Sequence, residues 1–187
     1  MSDALTDRRK ELEETFFAKQ NQELVAKLKA EKQKELDKAG IQEITGIKNE
    51  EVLEKLISLK MNRETISALS LFPLIQVAWA DGAVDAKEQA AVLAAAAASG
   101  ILKGSSAHTL LESWLKLKPA AALESAWTNY VKAMVEGMKA EDKAMLKNEL
   151  LGKARSVAEA SGGILGMGSK ISKSEADALK KLEAAFS

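Results

Sequence analysis

The stretch VAWADGAVDAKE, residues 77 to 88, predicts a corner between two helices. Gly82 can take the positive φ that ends a helix, because it has no Cβ. Asp85 and Glu88 have the types and spacing of a capping box, in which each side chain accepts a hydrogen bond from the backbone N–H of the other residue. These local bonds indicate a helical fold and leave only Asp81 without a structural role.

A related corner lies near the end of the chain. Residues 157–162 (VAEASG) and 171–179 (ISKSEADAL) parallel the two halves of the first corner, with a glycine-rich insertion between them. Ser172 and Glu175 form a second capping box by spacing. A chain that repeats an element can pack the two copies as a pseudo-two-fold pair.

The rest of the globular part also predicts helices only. Alanine, leucine, lysine and glutamate dominate, prolines number 2, and no segment alternates apolar and polar residues as a strand does. Apolar spacing predicts a helix that begins near Pro119 and reaches Met138. The other predicted helices span residues 49–60, 64–80, 85–99, 106–117, 140–160 and 173–186.

Three details of packing follow from these helices. Pro73 predicts a kink or break, because proline lacks the N–H that a helix interior needs. Trp114 and Trp127 lie on apolar stripes and are expected in the core. A face of small residues is predicted to let another helix approach closely: Ala86, Ala90, Ala94 and Ala98.

The first part of the chain predicts one long, charged helix over residues 3–38, which Ala39-Gly40 ends. Its apolar residues recur at spacings of 4, 7 and 11, so the stripe drifts around the helix and holds no sustained heptad. This drift favours a solvated helix lying along the globular part over an arm that dimerises or grips a partner. The predicted fold class is all-α: a compact helical bundle with two related corners (41–187) and an N-terminal helical arm (1–40).

Composition excludes several classes of function. The 27 basic and 27 acidic residues cancel, so no overall basic field attracts nucleic acid. The absence of cysteine excludes disulfides, thiolate metal sites and cysteine nucleophiles, and favours a reducing, cytoplasmic compartment. We expect no signal peptide, because the charged start lacks an apolar core, and no transmembrane segment, which needs about 20 apolar residues.

Two other features resemble chemical sites only superficially. His108 is the only histidine, so it forms no His-rich metal site, and we expect it at the surface or at a helix start. Residues 163–170 (GILGMGSK) carry the lysine and serine of a phosphate loop in reversed order, and no predicted strand precedes them. We interpret this segment as a linker and predict no catalytic residues and no cofactor-binding motif.

The acidic residues of the first corner invite comparison with a calcium-binding EF-hand loop. Asp81, Asp85 and Glu88 fall at positions 5, 9 and 12 of such a loop, with Gly82 at position 6. Positions 1 and 3 would be apolar, so this is not an EF-hand. A hard-cation site would use all three carboxylates, whereas helix capping explains two of them and is the interpretation we favour.

The string ADGAVDAKE, residues 80–88, followed by Ser99-Gly100-Ile101, resembles the signature of the tellurite-resistance TerB-like family. The resemblance covers roughly residues 64–187. It implies a compact all-α domain with related acidic corners, associated with tellurite resistance and bacterial stress response. Divalent-metal binding at these corners is implied for some members, and the ion could be calcium, magnesium, manganese or zinc.

The metal ligands that this resemblance implies are Asp81, Asp85 and Glu88. The second half of the chain departs from the family pattern, because serines stand at positions 161 and 172 where acids would be wanted. Only Glu175 remains there.

Three functional hypotheses follow. The first is a non-enzymatic stress-response or interaction module that binds a protein partner, with or without a divalent cation at the acidic corner. The second is a structural or adaptor protein that forms a homodimer through the N-terminal helix. The third is a metal-dependent hydrolase that uses the same carboxylates, although no substrate cleft is indicated by the sequence.

Overall fold

The all-α prediction is confirmed. The computed structural model describes residues 3–161 and 171–186, without the side chains of residues 3–7, 9–14 and 161, and this part contains helices and no strand. None of its helices is both long and apolar enough to cross a membrane. The linker predicted at residues 163–170 lies outside the described residues.

The helices agree with their predicted bounds to within a few residues, except at the end of the first. They are α1 (Asp3–Thr45), α2 (Glu50–Ser58), α3 (Ile66–Ser70), α4 (Phe72–Ala78), α5 (Ala86–Ala98), α6 (Ser106–Lys116), α7 (Ala121–Val135), α8 (Ala140–Ser161) and α9 (Lys173–Glu183), followed by a 3-10 turn (Ala184–Phe186).

The short helix α4 forms the centre of the core. It packs against α3, α5, α6, α8 and α9, which explains why its sequence is apolar on most sides. The predicted break near Pro73 is confirmed, because α3 ends at Ser70 and α4 begins at Phe72. Pro73 lies in the first turn of α4, where a helix has no need of the missing N–H.

An aromatic cluster joins four elements of the core. The Phe72 ring centroid lies 6.3 Å from that of Trp114 and 6.1 Å from that of Trp127. The Trp127 ring in turn lies 6.3 Å from Phe186 of the 3-10 turn. Both tryptophans are buried, as predicted, and the cluster ties α4, α6 and α7 to the end of the chain.

The predicted end of the first helix at Ala39-Gly40 is wrong, because α1 continues to Thr45. Gly40 instead permits a close approach: a Cβ added there would lie 2.9 Å from Cβ of Arg63. The next residue, Ile41, is fully buried. Gly40 therefore marks a crossing between α1 and the chain before α3, and the boundary predicted at residue 40 falls inside a continuous helix.

The part of α1 from Phe16 to Gln33 projects away from the rest of the molecule. All side chains from Phe16 to Gln33 are exposed, so the expectation of a helix lying along the globular part is wrong. Contact begins further along, where α1 packs against α2. There Lys38 forms ion pairs with Glu50 at 2.8 Å and Glu54 at 3.5 Å.

The predicted packing face of α5 lies on the wrong side of the helix. The four alanines at positions 86, 90, 94 and 98 are exposed. The buried side of α5 consists of Glu88, Val92 and Ala96, which have the same spacing of four, and the helix packs against α4 and α8. Spacing alone predicts that a face exists, whereas the neighbouring helices decide which face is covered.

Candidate functional site: two capped corners with buried glutamates

The first corner folds as its sequence predicts. Gly82 has a φ of 101°, which favours glycine. Asp85 caps α5 with one carboxylate oxygen, which accepts the N–H groups of Lys87 at 2.7 Å and Glu88 at 2.8 Å. Glu88 in turn accepts the N–H of Asp85 at 2.8 Å, so the predicted capping box is confirmed.

Asp81 also has a structural role, which the sequence pattern does not predict. Its Oδ1 accepts the N–H of Ala83 at 3.1 Å. Aspartate side chains often stabilise turns in this way, by accepting the N–H of the residue two positions later. All three carboxylates of the first corner therefore accept hydrogen bonds from the backbone of that corner.

The second corner repeats this geometry with a serine in place of the aspartate. Ser172 Oγ accepts the N–H of Glu175 at 3.3 Å, and Glu175 accepts the N–H of Ser172 at 2.6 Å. Both cap residues have extended backbones, with φ and ψ of −83° and 171° for Asp85 and −69° and 165° for Ser172. Since serine caps a helix as well as aspartate does, capping alone accounts for Ser172.

The two capping-box glutamates are buried, which their spacing does not predict. Glu88 is 4% exposed and Glu175 is 5% exposed, whereas glutamate is rarely buried to this extent. Helices α5 and α9 both pack against α4 and α8, so the fold brings the two corners together. The sequence repeat indicates that the two corners could pack as a pair, whereas the burial of the two glutamates has no signal in the sequence.

The environment of Glu88 favours its neutral form. Burial raises its pKa to about 7, although the hydrogen bond from the Asp85 backbone acts in the opposite direction. The negative charges of Asp85, Asp81 and Glu175 raise the pKa further. Glu88 therefore exchanges its proton near neutral pH, and its charge is coupled to both corners.

The predicted metal ligands do not form a ready cluster in this arrangement. Within residues 3–161 and 171–186, no three His, Cys, Asp or Glu side chains lie close enough together to hold a metal ion. Asp81, Asp85 and Glu88 instead direct carboxylate oxygens at backbone N–H groups. A cation would require these side chains to turn toward one another, and the ligand set stays a prediction.

His108 lies at a helix start, as one of the two expectations had it, but it is not on the surface. It occupies the first turn of α6 and is buried, and its Nδ1 lies 3.8 Å from Oε2 of Glu112 one turn later.

An open cleft of about 530 Å³ lies elsewhere, beside α2 and α7, and Asn49, Asn129 and Lys132 are among its lining residues. His108 does not line that cleft, and neither do the acidic residues of the first corner, Asp81, Asp85 and Glu88.

The projecting part of α1 carries the second candidate feature, a group of exposed apolar side chains. Their exposed fractions are 58% for Phe16, 59% for Phe17, 55% for Leu24, 49% for Val25 and 56% for Leu28. Soluble proteins seldom expose several large apolar residues in one region unless that region binds something.

No family model, no curated protein and no solved structure matches this chain. The resemblance to TerB-like proteins therefore depends on its motif alone and stays a prediction. The geometry of the corners and of the arm is the basis for the functional proposals below.

Proposed function

We propose that this chain is a non-enzymatic interaction module whose N-terminal helix binds a protein partner. The observation that carries the proposal is the group of exposed apolar side chains from Phe16 to Leu28. Two aromatic residues and three aliphatic residues lie within little more than three helical turns. Helices with such residues bind partners by laying an apolar face in a groove or against another helix. Because residues 80–88 resemble the TerB-like signature, we propose that this module acts in a bacterial stress response.

The way in which α1 joins the domain supports this role. Gly40 lies against Arg63, Ile41 is buried, and Lys38 is paired with two glutamates of α2. The projecting part and the anchored part form one uninterrupted helix. A partner bound to the arm is thereby held in a defined position relative to the domain, which a flexible linker would not provide.

We predict that removing the aromatic side chains of the arm abolishes partner capture. The double variant Phe16→Ser/Phe17→Ser should reduce the amount of captured partner at least tenfold, since buried aromatic anchors each contribute about 2 kcal/mol or more to binding. The measurement is quantitative mass spectrometry of proteins retained by the immobilised full chain.

A matched control is available on the same helix. Leu36 and Ile44 are exposed to 58% and 50%, but they lie at the end that joins the domain. Leu36→Ser/Ile44→Ser should retain the partners. Equal retention by both double variants would contradict the role of the arm.

We propose, as a second function, that the first corner binds a divalent cation. The supporting observation is that the charges of Asp81, Asp85 and Glu175 all act on the buried carboxyl group of Glu88. Carboxylate oxygens are the ligands that calcium, magnesium and manganese prefer. We do not extend this proposal to a hydrolase, because the three carboxylates of the corner do not line the open cleft beside α2 and α7.

Thermal unfolding tests the cation proposal. After EDTA treatment, millimolar calcium, magnesium, manganese or zinc should raise the melting temperature, because an ion at 100 times its dissociation constant stabilises the folded state by about 2.7 kcal/mol. Asp81→Asn should abolish the rise. Asp142→Asn, an exposed aspartate in α8, should preserve it. The absence of a shift with all four ions would leave the corner with a capping role only.

A further inference from the structure

One face of the arm has the heptad spacing that the arm as a whole lacks. Phe17, Asn21, Leu24 and Leu28 are separated by 4, 3 and 4 residues, the spacing of the a and d positions of a coiled coil. All four side chains are exposed, and Val25 widens the face on one side. We name these four residues the arm seam.

The arm seam is complementary to itself when a second copy runs in the opposite direction. A two-fold axis between residues 22 and 23 places Phe17 opposite Leu28 of the other copy, and Asn21 opposite Leu24. Each contact then occurs twice, which is the property of a closed two-fold interface. We propose that the arm seam binds the arm seam of a second copy of this chain as an antiparallel pair. This inference rests on the proposed function of the arm.

The charges beside the arm seam oppose the parallel alternative. In a parallel pair, Lys27 would face Lys32 of the other copy across the seam, as g and e positions do. The heptad continues to Glu31 and Glu35, which would each face their own counterpart in the interface. Reversing one helix separates these three pairs; the antiparallel register instead places Glu35 opposite position 10, a lysine, and Glu31 opposite position 14, a glutamate.

One further property favours a second copy as the occupant, and the size of the arm seam limits the strength of the pair. The chain has a net charge of zero, so no overall repulsion opposes its self-association. The seam spans about 17 Å, and its buried area should fall below the roughly 1,200 Å² of a stable interface. We therefore expect a weak, reversible dimer with a dissociation constant of the order of 10–100 μM. Asn21 opposite Leu24 weakens the pair further, because its side-chain amide has no polar partner across the seam.

Sedimentation equilibrium on the full chain tests the pairing. Between about 5 and 500 μM, the wild-type mass should rise from monomer toward dimer. Leu24→Glu should weaken association at least tenfold. Leu36→Glu is the matched control, because it makes the same change at a leucine of similar exposure (58% against 55%) outside the arm seam, and it should associate as the wild type does. A wild type that stays monomeric, or equal effects of the two variants, would overturn the proposal.

The orientation requires a separate measurement. Since the chain has no cysteine, Lys32→Cys provides a single site for a nitroxide label on each copy. The helical rise of 1.5 Å per residue predicts a label separation of about 30 Å along an antiparallel pair, against about 10 Å in a parallel pair. Electron spin resonance measures this distance, and the shorter value would overturn the antiparallel arrangement.

The failure of this inference can be told apart from failure of the proposed function. A monomeric chain that loses a captured protein in Phe16→Ser/Phe17→Ser, but not in the control, would give the arm a different occupant and overturn self-pairing alone. A monomeric chain whose captured proteins are unaffected by that variant would overturn both.

Discussion

Phe72→Ala is expected to lower the free energy of unfolding of this protein by about 3–5 kcal/mol, the usual cost of truncating a buried phenylalanine. Phe72 is 1% exposed and lies at the start of the central helix α4. Its ring contacts Trp114 and Trp127, so its removal leaves a cavity between α6 and α7 as well as lost apolar burial. Urea unfolding followed by circular dichroism measures the change, read as a lower midpoint at constant slope.

The same substitution at Phe17 separates burial from residue type. Phe17 is exposed on the arm, so Phe17→Ala should change stability by no more than about 0.5 kcal/mol. Both variants should be compared at low micromolar concentration, where the proposed pairing of arms contributes little. A similar loss in the two variants would mean that the aromatic cluster is not the centre of the core.

The second large effect is expected in the pH dependence of stability, through Glu88. Its pKa in the folded state is about 7, above the ordinary value of 4.5. The folded state therefore binds this proton more tightly than the unfolded state does. The resulting stabilisation is complete below about pH 4.5 and is lost as the pH rises through 7, so ionisation of Glu88 destabilises the protein above neutrality.

Glu88→Gln should remove this pH dependence while keeping the helix cap. Glutamine carries no charge, and its side-chain oxygen can still accept the N–H of Asp85. We expect the variant to be more stable than the wild type at pH 8.5, and this difference should shrink as the pH falls to 5. Unfolding in urea across this range measures the difference, in which the titration of all other groups largely cancels.

An exposed glutamate provides the control for the loss of one charge. Glu51 lies in the first turn of α2 and is exposed, so Glu51→Gln should leave the wild-type pH profile unchanged in shape. If the stability difference between wild type and Glu88→Gln stays constant from pH 5 to 8.5, burial does not raise the pKa of Glu88.

The pairing of the two corners gives this titration a structural consequence. Glu88 and Glu175 each bond to the backbone of their own helix cap, and the charge of Glu175 acts on Glu88. A change of charge at one corner therefore changes the electrostatic energy at the first turns of both α5 and α9. A cation at the first corner would compete with the Glu88 proton, so the cation-induced stabilisation should be larger at pH 8 than at pH 6.

The sequence by itself determined the helices and the two capped corners of this protein. Asp85 with Glu88, and Ser172 with Glu175, bond to backbone groups within three residues of themselves. Such bonds depend on the local chain alone, so their pattern is visible in the residue order. The apolar sequence of α4 is likewise typical of a helix at the centre of a core.

Tertiary structure alone decided which surfaces these helices cover. Gly40 resembled a helix end, but the approach of Arg63 makes it a contact point inside α1. The alanines of α5 and its buried stripe share one spacing, and the positions of α4 and α8 select the side with Glu88. A side chain is buried only when another part of the fold covers it. A segment of sequence specifies its own surface, but the surface that covers it comes from residues elsewhere in the chain.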